Sequence, residues 1–406
     1  MKIIVAPDSF KGNMSAPRVC SIIGDAVLRA DGPAELYKIP LADGGEGTAR
    51  AITEAAGGRF VTVPVTGPLG GRVEAEYGLI DGGRTGVLDA ASASGIGLVD
   101  RDKLDPMAAS SYGTGELIAA ALDHGVRELI IGVGGSATND GGLGMISALG
   151  FRVLDAEGRP VGQGGRALGK IASVDPAGAA GRFKGLSIRA ACDVTNPLLG
   201  PQGASAVFGP QKGATADMVT VLDAGLARLA AAWIGAGLAK DAEQPGDGAG
   251  GGLGAALRIC LGASLESGAM LVMKYAGFFD RLPGADLVIT GEGMTDSQTA
   301  SGKLCSVVAR EARRAGVPVA LLSGGLSGDP EALLDCFDYA ASIARGQSSL
   351  DAMIRDSPLD LGFAAENLIR AIRIGAAQSG AAQDGAAPGG RAQGRAAGLS
   401  VQGAPV

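Results

Sequence analysis

Short apolar runs that end in polar, glycine-bearing loops recur along the chain. Ile3–Val5 leads into Ala6-Pro-Asp-Ser-Phe-Lys-Gly12. A helical stripe of Val19, Ile22, Ile23, Ala26 and Val27 follows, with Ser15 as a favourable N-cap and Pro17 in the first turn. Residues 35–40 predict a second strand, which ends in the loop 42–48 and then a helix closing near Gly57-Gly58. Strand and helix alternating in this way, with similar loops after both strands, predict a parallel sheet.

The texture changes near Arg59. Residues 60–65 and 73–79 alternate, with turns at 67–71 and 81–83, and residues 85–89 run on. The short turns predict antiparallel hairpins. A helix over 114–123 precedes the stretch Leu129–Met145. There residues 129–133 read as a buried strand, Gly134-Gly135 stops it, residues 136–140 form a polar loop, and Gly141-Gly142 opens a helix carrying Met145, Ile146 and Leu149. Bare N–H groups and a helix N-terminus facing one spot attract phosphate or carboxylate, but the same residues also make ordinary tight turns. A strand at 187–192 and helices at 215–233 and 253–261 follow. Parallel texture then returns, with strands at 286–290, 317–322 and 339–343 and helices at 301–315 and 360–374.

The first and last segments together make five βα-like units, the number in a flavodoxin-like sheet. The sequence thus predicts an α/β fold of two domains. A flavodoxin-like parallel-sheet domain is split in sequence, 1–59 plus 286–375, and a second mixed α/β domain, 60–285, is inserted into it. Residues 376–406 are nearly all Ala, Gly, Gln, Ser, Pro and Arg, lack an apolar period, and are expected to be disordered.

Composition narrows the function. The net charge is -7 and no Lys/Arg cluster stands out, which argues against a nucleic-acid partner. The five cysteines form no CxxC pair, so neither zinc nor a disulfide framework is indicated. No signal peptide and no continuous apolar run of about 18 residues is evident, so a soluble cytoplasmic protein without a membrane partner is expected. The single histidine, His124, stands before Gly125 at an apparent helix end, which nearly excludes a histidine-based triad. A GxGxxG string at 246–251 follows a polar stretch rather than a strand, so it reads as a loop and not as a dinucleotide site.

Five loops that follow strands carry acids, hydroxyls or lysines: Asp8-Ser9-Lys11, Asp43-Glu46-Thr48, Ser136-Thr138-Asn139-Asp140, Asp193-Thr195-Asn196 and Glu292-Asp296-Gln298. In open α/β sheets ligands bind at the carboxyl ends of strands, and five such loops point to one site. Carboxylates and hydroxyls in number suit Mg²⁺, while Lys11 and Lys303 could neutralise an anion. An Asp beside a substrate hydroxyl, with Mg²⁺ balancing a transferred phosphoryl group, is the outfit of phosphoryl transfer. No GxxxxGK[ST] and no protein-kinase motif set occurs.

The series APDSFKG (6–12), PLADGGEGT (40–48), GVGGSATNDGG (132–142), CDVTNPLLGPQGAS (192–205), FGPQKGA (208–214) and TGEGMTDSQTASGK (290–303) resembles, in order, the motifs of bacterial glycerate kinases of type I, the glycerate 2-kinases. The resemblance covers residues 1 to about 375. It implies phosphorylation of D-glycerate by ATP with Mg²⁺, with 2-phosphoglycerate as the expected product. It implies that Asp193 acts as base or Mg²⁺ ligand at the substrate hydroxyl, and that Lys11 holds the glycerate carboxylate or a phosphate. Asp8, Ser9, Asp43 and Glu46 fall near the same site. Ser136, Thr138 and Asn139 cradle either ATP phosphates or glycerate, with Thr195, Asn196 and Gln298 in neighbouring binding loops. Glu292 and Asp296 orient Mg²⁺ or nucleotide, with Lys303 as a phosphate partner. Met294 stands where an arginine is expected. The alternatives are a glycerate 3-kinase, or a hydroxy-acid binding protein on a degenerate kinase scaffold.

Overall fold

The computed structural model describes residues 1–42, 45, 47–296 and 304–384, with side chains to 377. Among them the strands are, in chain order, β1 (Lys2–Val5), β2 (Glu35–Lys38), β3 (Arg59–Thr66), β4 (Arg72–Ile80), β5 (Thr85–Asp89), β6 (Glu128–Gly132), β7 (Arg152–Leu154), β8 (Ser173–Asp175), β9 (Ser187–Ala191), β10 (Ser264–Glu266), β11 (Leu287–Glu292), β12 (Val319–Ser323) and β13 (Tyr339–Ser342). One sheet has the order β13-β12-β11-β1-β2 and is parallel throughout. Counted along its own strands this is 2-1-3-4-5, the flavodoxin-like order, with its switch point between β1 and β11.

The second sheet has the order β10-β9-β6-β5-β4-β3. The hairpin strands β3, β4 and β5 pair antiparallel, and β5, β6, β9 and β10 pair parallel. A separate ribbon of β7 and β8, which the sequence pattern did not predict, is antiparallel.

Both sheets are covered on both faces, which is why Leu129, Ile130 and Ile131 are all fully buried. Alternate residues face opposite layers: Leu129 and Ile131 pack with Leu117, Met145, Leu229 and Leu257, while Ile130 packs with Val87, Ile52 and Val272. That second group also holds Ile4, Val288 and Leu321 of the first sheet and Val308 of the helix Leu304–Arg314. The two sheets therefore share one apolar layer, filled by the helices Thr48–Ala55, Gly268–Tyr275 and Leu304–Arg314. The outer face of the first sheet is covered by the helices Ala16–Ala30 and Leu350–Asp384, through Val19, Ile23 and Val27 with Leu361, Ala365 and Ile369.

The last helix is longer than its pattern predicts at both ends. It begins ahead of Pro358, whose missing N–H frees the carbonyl of Ile354. Ser357 Oγ donates to that carbonyl at 2.8 Å and Asn13 Nδ2 at 3.2 Å, so the turn survives the proline. The helix also runs through Asp384, past residue 376 where the sequence predicts disorder. Alanine is the best helix former, and Ala376, Ala377, Ala381 and Ala382 extend the helix without an apolar stripe. Residues 385–406 lie outside the described residues.

Helix Ala216–Gly235 is long and apolar enough to cross a membrane by length and composition. In the fold its Leu222, Leu226, Leu229 and Trp233 are fully buried in the core.

Candidate active site

The carboxyl ends of β1, β6, β9, β11, β12 and β13 open onto one cleft of about 1310 Å³. Loops from both sheets line it: Asp8–Asn13, Glu292–Met294, Asp296 and Gly324-Gly325 from the first, and Val133–Ser136 and Ala191–Val194 from the second. The two walls touch. A Cβ on Gly134 would lie 2.6 Å from the Cα of Gly45, so the loop after β6 meets the loop after β2 only because Gly134 has no side chain.

Of the residues singled out in the sequence, Asp8, Ser9, Lys11, Ser136, Asp193, Glu292 and Asp296 line the cleft. Asp8 is buried, and its Oδ1 accepts the backbone N–H of Ser9 at 2.6 Å. Lys11 is exposed at the cleft. Asp193 Oδ1 accepts Ser267 Oγ at 2.7 Å and Oδ2 accepts the Ala269 N–H at 3.1 Å, so this carboxylate also caps the helix Gly268–Tyr275. Glu292 is buried and accepts Thr295 Oγ1 at 2.9 Å. Met294 lines the cleft and is 53% exposed.

Thr138, Asn139, Thr195 and Asn196 are not among the lining residues. Asn139 is fully buried and donates to Ser205 Oγ at 2.8 Å, bracing the loop from behind. Asn196 donates to the Gln202 carbonyl at 2.8 Å, and Thr195 is exposed. Asp43, Glu46, Gln298 and Lys303 lie outside the described residues.

The helix N-terminus after Gly141-Gly142 is not open to a ligand. Asp140, fully buried, fills it with its own carboxylate. Its Oδ1 accepts the Gly142 N–H at 3.0 Å, and its Oδ2 accepts the Ser111 N–H and Oγ at 2.9 Å each and the Gly144 N–H at 3.2 Å. Burial pushes this carboxyl up, and the bonds from Ser111, Gly144 and Gly142 pull it back. What faces the cleft is the preceding segment, Val133–Ser136. A turn at Gly250–Gly252 packs against the loop from behind. Gly251 has φ +73°, and a Cβ there would sit 2.0 Å from the Thr138 carbonyl oxygen.

One functional candidate was missed. Lys212 is 2% exposed and lines the cleft. Its Nζ donates to Ser136 Oγ at 3.0 Å and to the Thr138 carbonyl at 2.6 Å. Burial pushes its pKa down from 10.5 to about 7, against the field of Asp140, which raises it. Its string Phe208-Gly-Pro-Gln-Lys-Gly-Ala214 is one of the motifs that carry the resemblance, but no role was given to the lysine. The bracketing Gly209 and Gly213, which mark a tight turn, are the signal that was there to be read.

Lining carboxylates outnumber lining lysines: Asp8, Asp193, Glu292, Asp296 and Asp360 against Lys11 and Lys212. Such a cleft repels an anionic ligand unless a cation comes with it. Among the described residues no group of three or more His, Cys, Asp or Glu is gathered to hold a metal alone. The donor set therefore fits Mg²⁺, which takes one or two carboxylates and completes its shell with water and phosphate, better than a metal held by protein alone.

Comparison with known proteins agrees with this geometry. The model of the glycerate kinase family matches residues 3–373. The glycerate kinase of Bacillus subtilis is 48% identical over 375 residues, 92% of this chain and 98% of that protein. The glycerate 2-kinase of Escherichia coli is 42% identical over 377 residues, 92% and 99% of the two chains. The crystal structure of a putative glycerate kinase 2 from Salmonella typhimurium is 44% identical and superposes with a TM-score of 0.81, covering 92% of this chain and 99% of that one. With the family's model matching residues 3–373 and relatives 42–48% identical over nearly their whole length, the chain belongs to the glycerate kinase family.

Proposed function

We propose that the protein is an ATP-dependent kinase that phosphorylates D-glycerate in the cytoplasm, with 2-phosphoglycerate as product. The carrying observation is that the family's match spans the whole described cleft, both walls of which are built from the motif loops. A binding protein on a degenerate scaffold would have no use for five carboxylates facing an acidic ligand.

The division of labour follows from position. Asp193 lies two residues past the end of β9 at the cleft, and its two hydrogen bonds from the Ser267–Ala269 turn fix its carboxylate. The reading gives Asp193 the proton of the attacking hydroxyl. One or two of Asp193, Glu292 and Asp296 would hold Mg²⁺, which would neutralise the phosphate charge. Lys11, exposed at the rim, binds the glycerate carboxylate or a phosphate oxygen as a point charge. Lys11→Ala is expected to raise the KM of one substrate about tenfold or more with kcat less affected; unchanged KM values for both remove it from binding.

The testing experiment is ADP release with D-glycerate, ATP and Mg²⁺, followed by phosphorus NMR of the product. Phosphate on C2 is the expected result. Phosphate on C3 keeps the kinase and reverses the choice of hydroxyl. No D-glycerate-dependent ADP release overturns the reading.

A further inference from the structure

Lys212 is an amine kept inside the protein with no carboxylate paired to it among the described residues. An ammonium has three donors, and two of them go to Ser136 Oγ and the Thr138 carbonyl. Among the described residues no carboxylate oxygen lies within 4 Å of its Nζ. Its backbone is pinned. Gly213 has φ +92°, and a Cβ there would lie 2.5 Å from the Leu104 carbonyl oxygen. Asp140 exerts a field on it, but that carboxylate is already occupied by four donors. On the loop packed against Gly213, Asp105 pairs with Arg166 at 3.8 Å. Asp8, Lys11, Asp193, Glu292, Asp296 and Asp360 are the other charged residues lining the cleft.

A lysine held this way is costly as a structural strut, because a buried charge without a partner is destabilising. It is well suited to receive a charge that comes and goes. Resting on the kinase reading above, we propose that Lys212 receives an anionic oxygen of a bound substrate, carboxylate or phosphoryl, and becomes protonated as that anion arrives. The lowered pKa supports the second half: above neutral pH the empty cleft holds mostly a neutral amine, and an anion beside it restores the ammonium. Ser136, itself at the cleft wall, is then an aligning partner for Lys212 rather than the primary phosphate donor.

Calorimetric titration tests this without turnover. Wild-type protein is titrated at about pH 8 with D-glycerate and separately with ATP and Mg²⁺, in buffers of different ionisation enthalpy. Binding of one ligand is expected to take up close to one proton. Lys212→Met is expected to lose that uptake, and about tenfold to a hundredfold in affinity for that ligand alone. Loss on D-glycerate names the carboxylate as the anion; loss on ATP names a phosphoryl oxygen. Absence of proton uptake with both ligands overturns the proposal, and this measurement stands even if the variant fails to fold. A folded Lys212→Met protein that binds both ligands as wild type does also overturns it. Wild-type protein that binds ATP but not D-glycerate sinks the kinase reading instead, and leaves the ATP titration to judge Lys212.

Discussion

Replacing Lys212 by Met provides a stability test whose size can be worked out in advance. With a pKa of about 7 in the fold and 10.5 unfolded, the side chain binds fewer protons in the native state between those values. Stability therefore rises with pH across that window, and the full penalty is present below its lower end. At pH 6 the penalty is the shift of about 3.5 units times 1.36, or roughly 5 kcal/mol. By pH 9 only about 1.5 units remain, or roughly 2 kcal/mol. Methionine has a similar length and no charge, so it escapes the penalty. It also strands the Thr138 carbonyl and Ser136 Oγ, at about 1–3 kcal/mol each, an amount that does not depend on pH. The stability gap between the two proteins should thus move by roughly 3 kcal/mol in favour of wild type between pH 6 and pH 9. Urea unfolding of both proteins at the two pH values measures it. A movement below about 1 kcal/mol would falsify the view that Lys212 is an uncompensated buried charge.

Three other substitutions probe the same cleft. Asp193→Asn should lower kcat by about a thousandfold or more with little change in the thermal midpoint, and near-normal turnover in a folded variant would exclude it as the base. Asp140→Ala orphans four donors and should destabilise by roughly 3–5 kcal/mol in urea unfolding; a loss below about 1 kcal/mol would mean that its carboxylate does not hold the helix start. Gly251→Ala forces a side chain into a left-handed backbone and against the Thr138 carbonyl, at roughly 2–5 kcal/mol, with KM rising as the loop shifts. A variant as stable and active as wild type would show that this turn gives way freely.

The pattern of apolar positions was a good guide wherever a strand lies between two covered layers. The buried cores of β1, β6, β11 and β12 are continuous apolar runs for that reason. It was poor where helix boundaries depend on a distant residue. No local rule says that Asn13 will serve the carbonyl freed by Pro358, 341 positions away. The polar residues show the same division. Asp8, Asp193 and Glu292 directly follow or end buried strands, and the strand ends carry them to the cleft. Thr138, Asn139 and Asp140 come later in their loop, after the chain has turned inward, so similar residue types hold the scaffold instead. The glycines around Lys212 mark its turn but not its burial, which is a property of what packs over it, here residues more than seventy positions earlier.

The interior strand β1 is flanked by β2, some thirty residues on, and by β11, with Ile3 in register with Leu287. During synthesis β2 emerges within seconds, but β11 follows only after roughly 15–60 s at 5–20 residues per second. Through that interval the inner edge of β1 offers unpaired N–H and C=O groups beside the apolar Ile3, Ile4 and Val5. The strand from which the Asp8 loop at the cleft springs thus waits through the whole inserted segment for its second neighbour. A ribosome-bound chain of this family is consequently a good client for a holding chaperone, and stalling translation before residue 287 should leave β1 open to proteolysis.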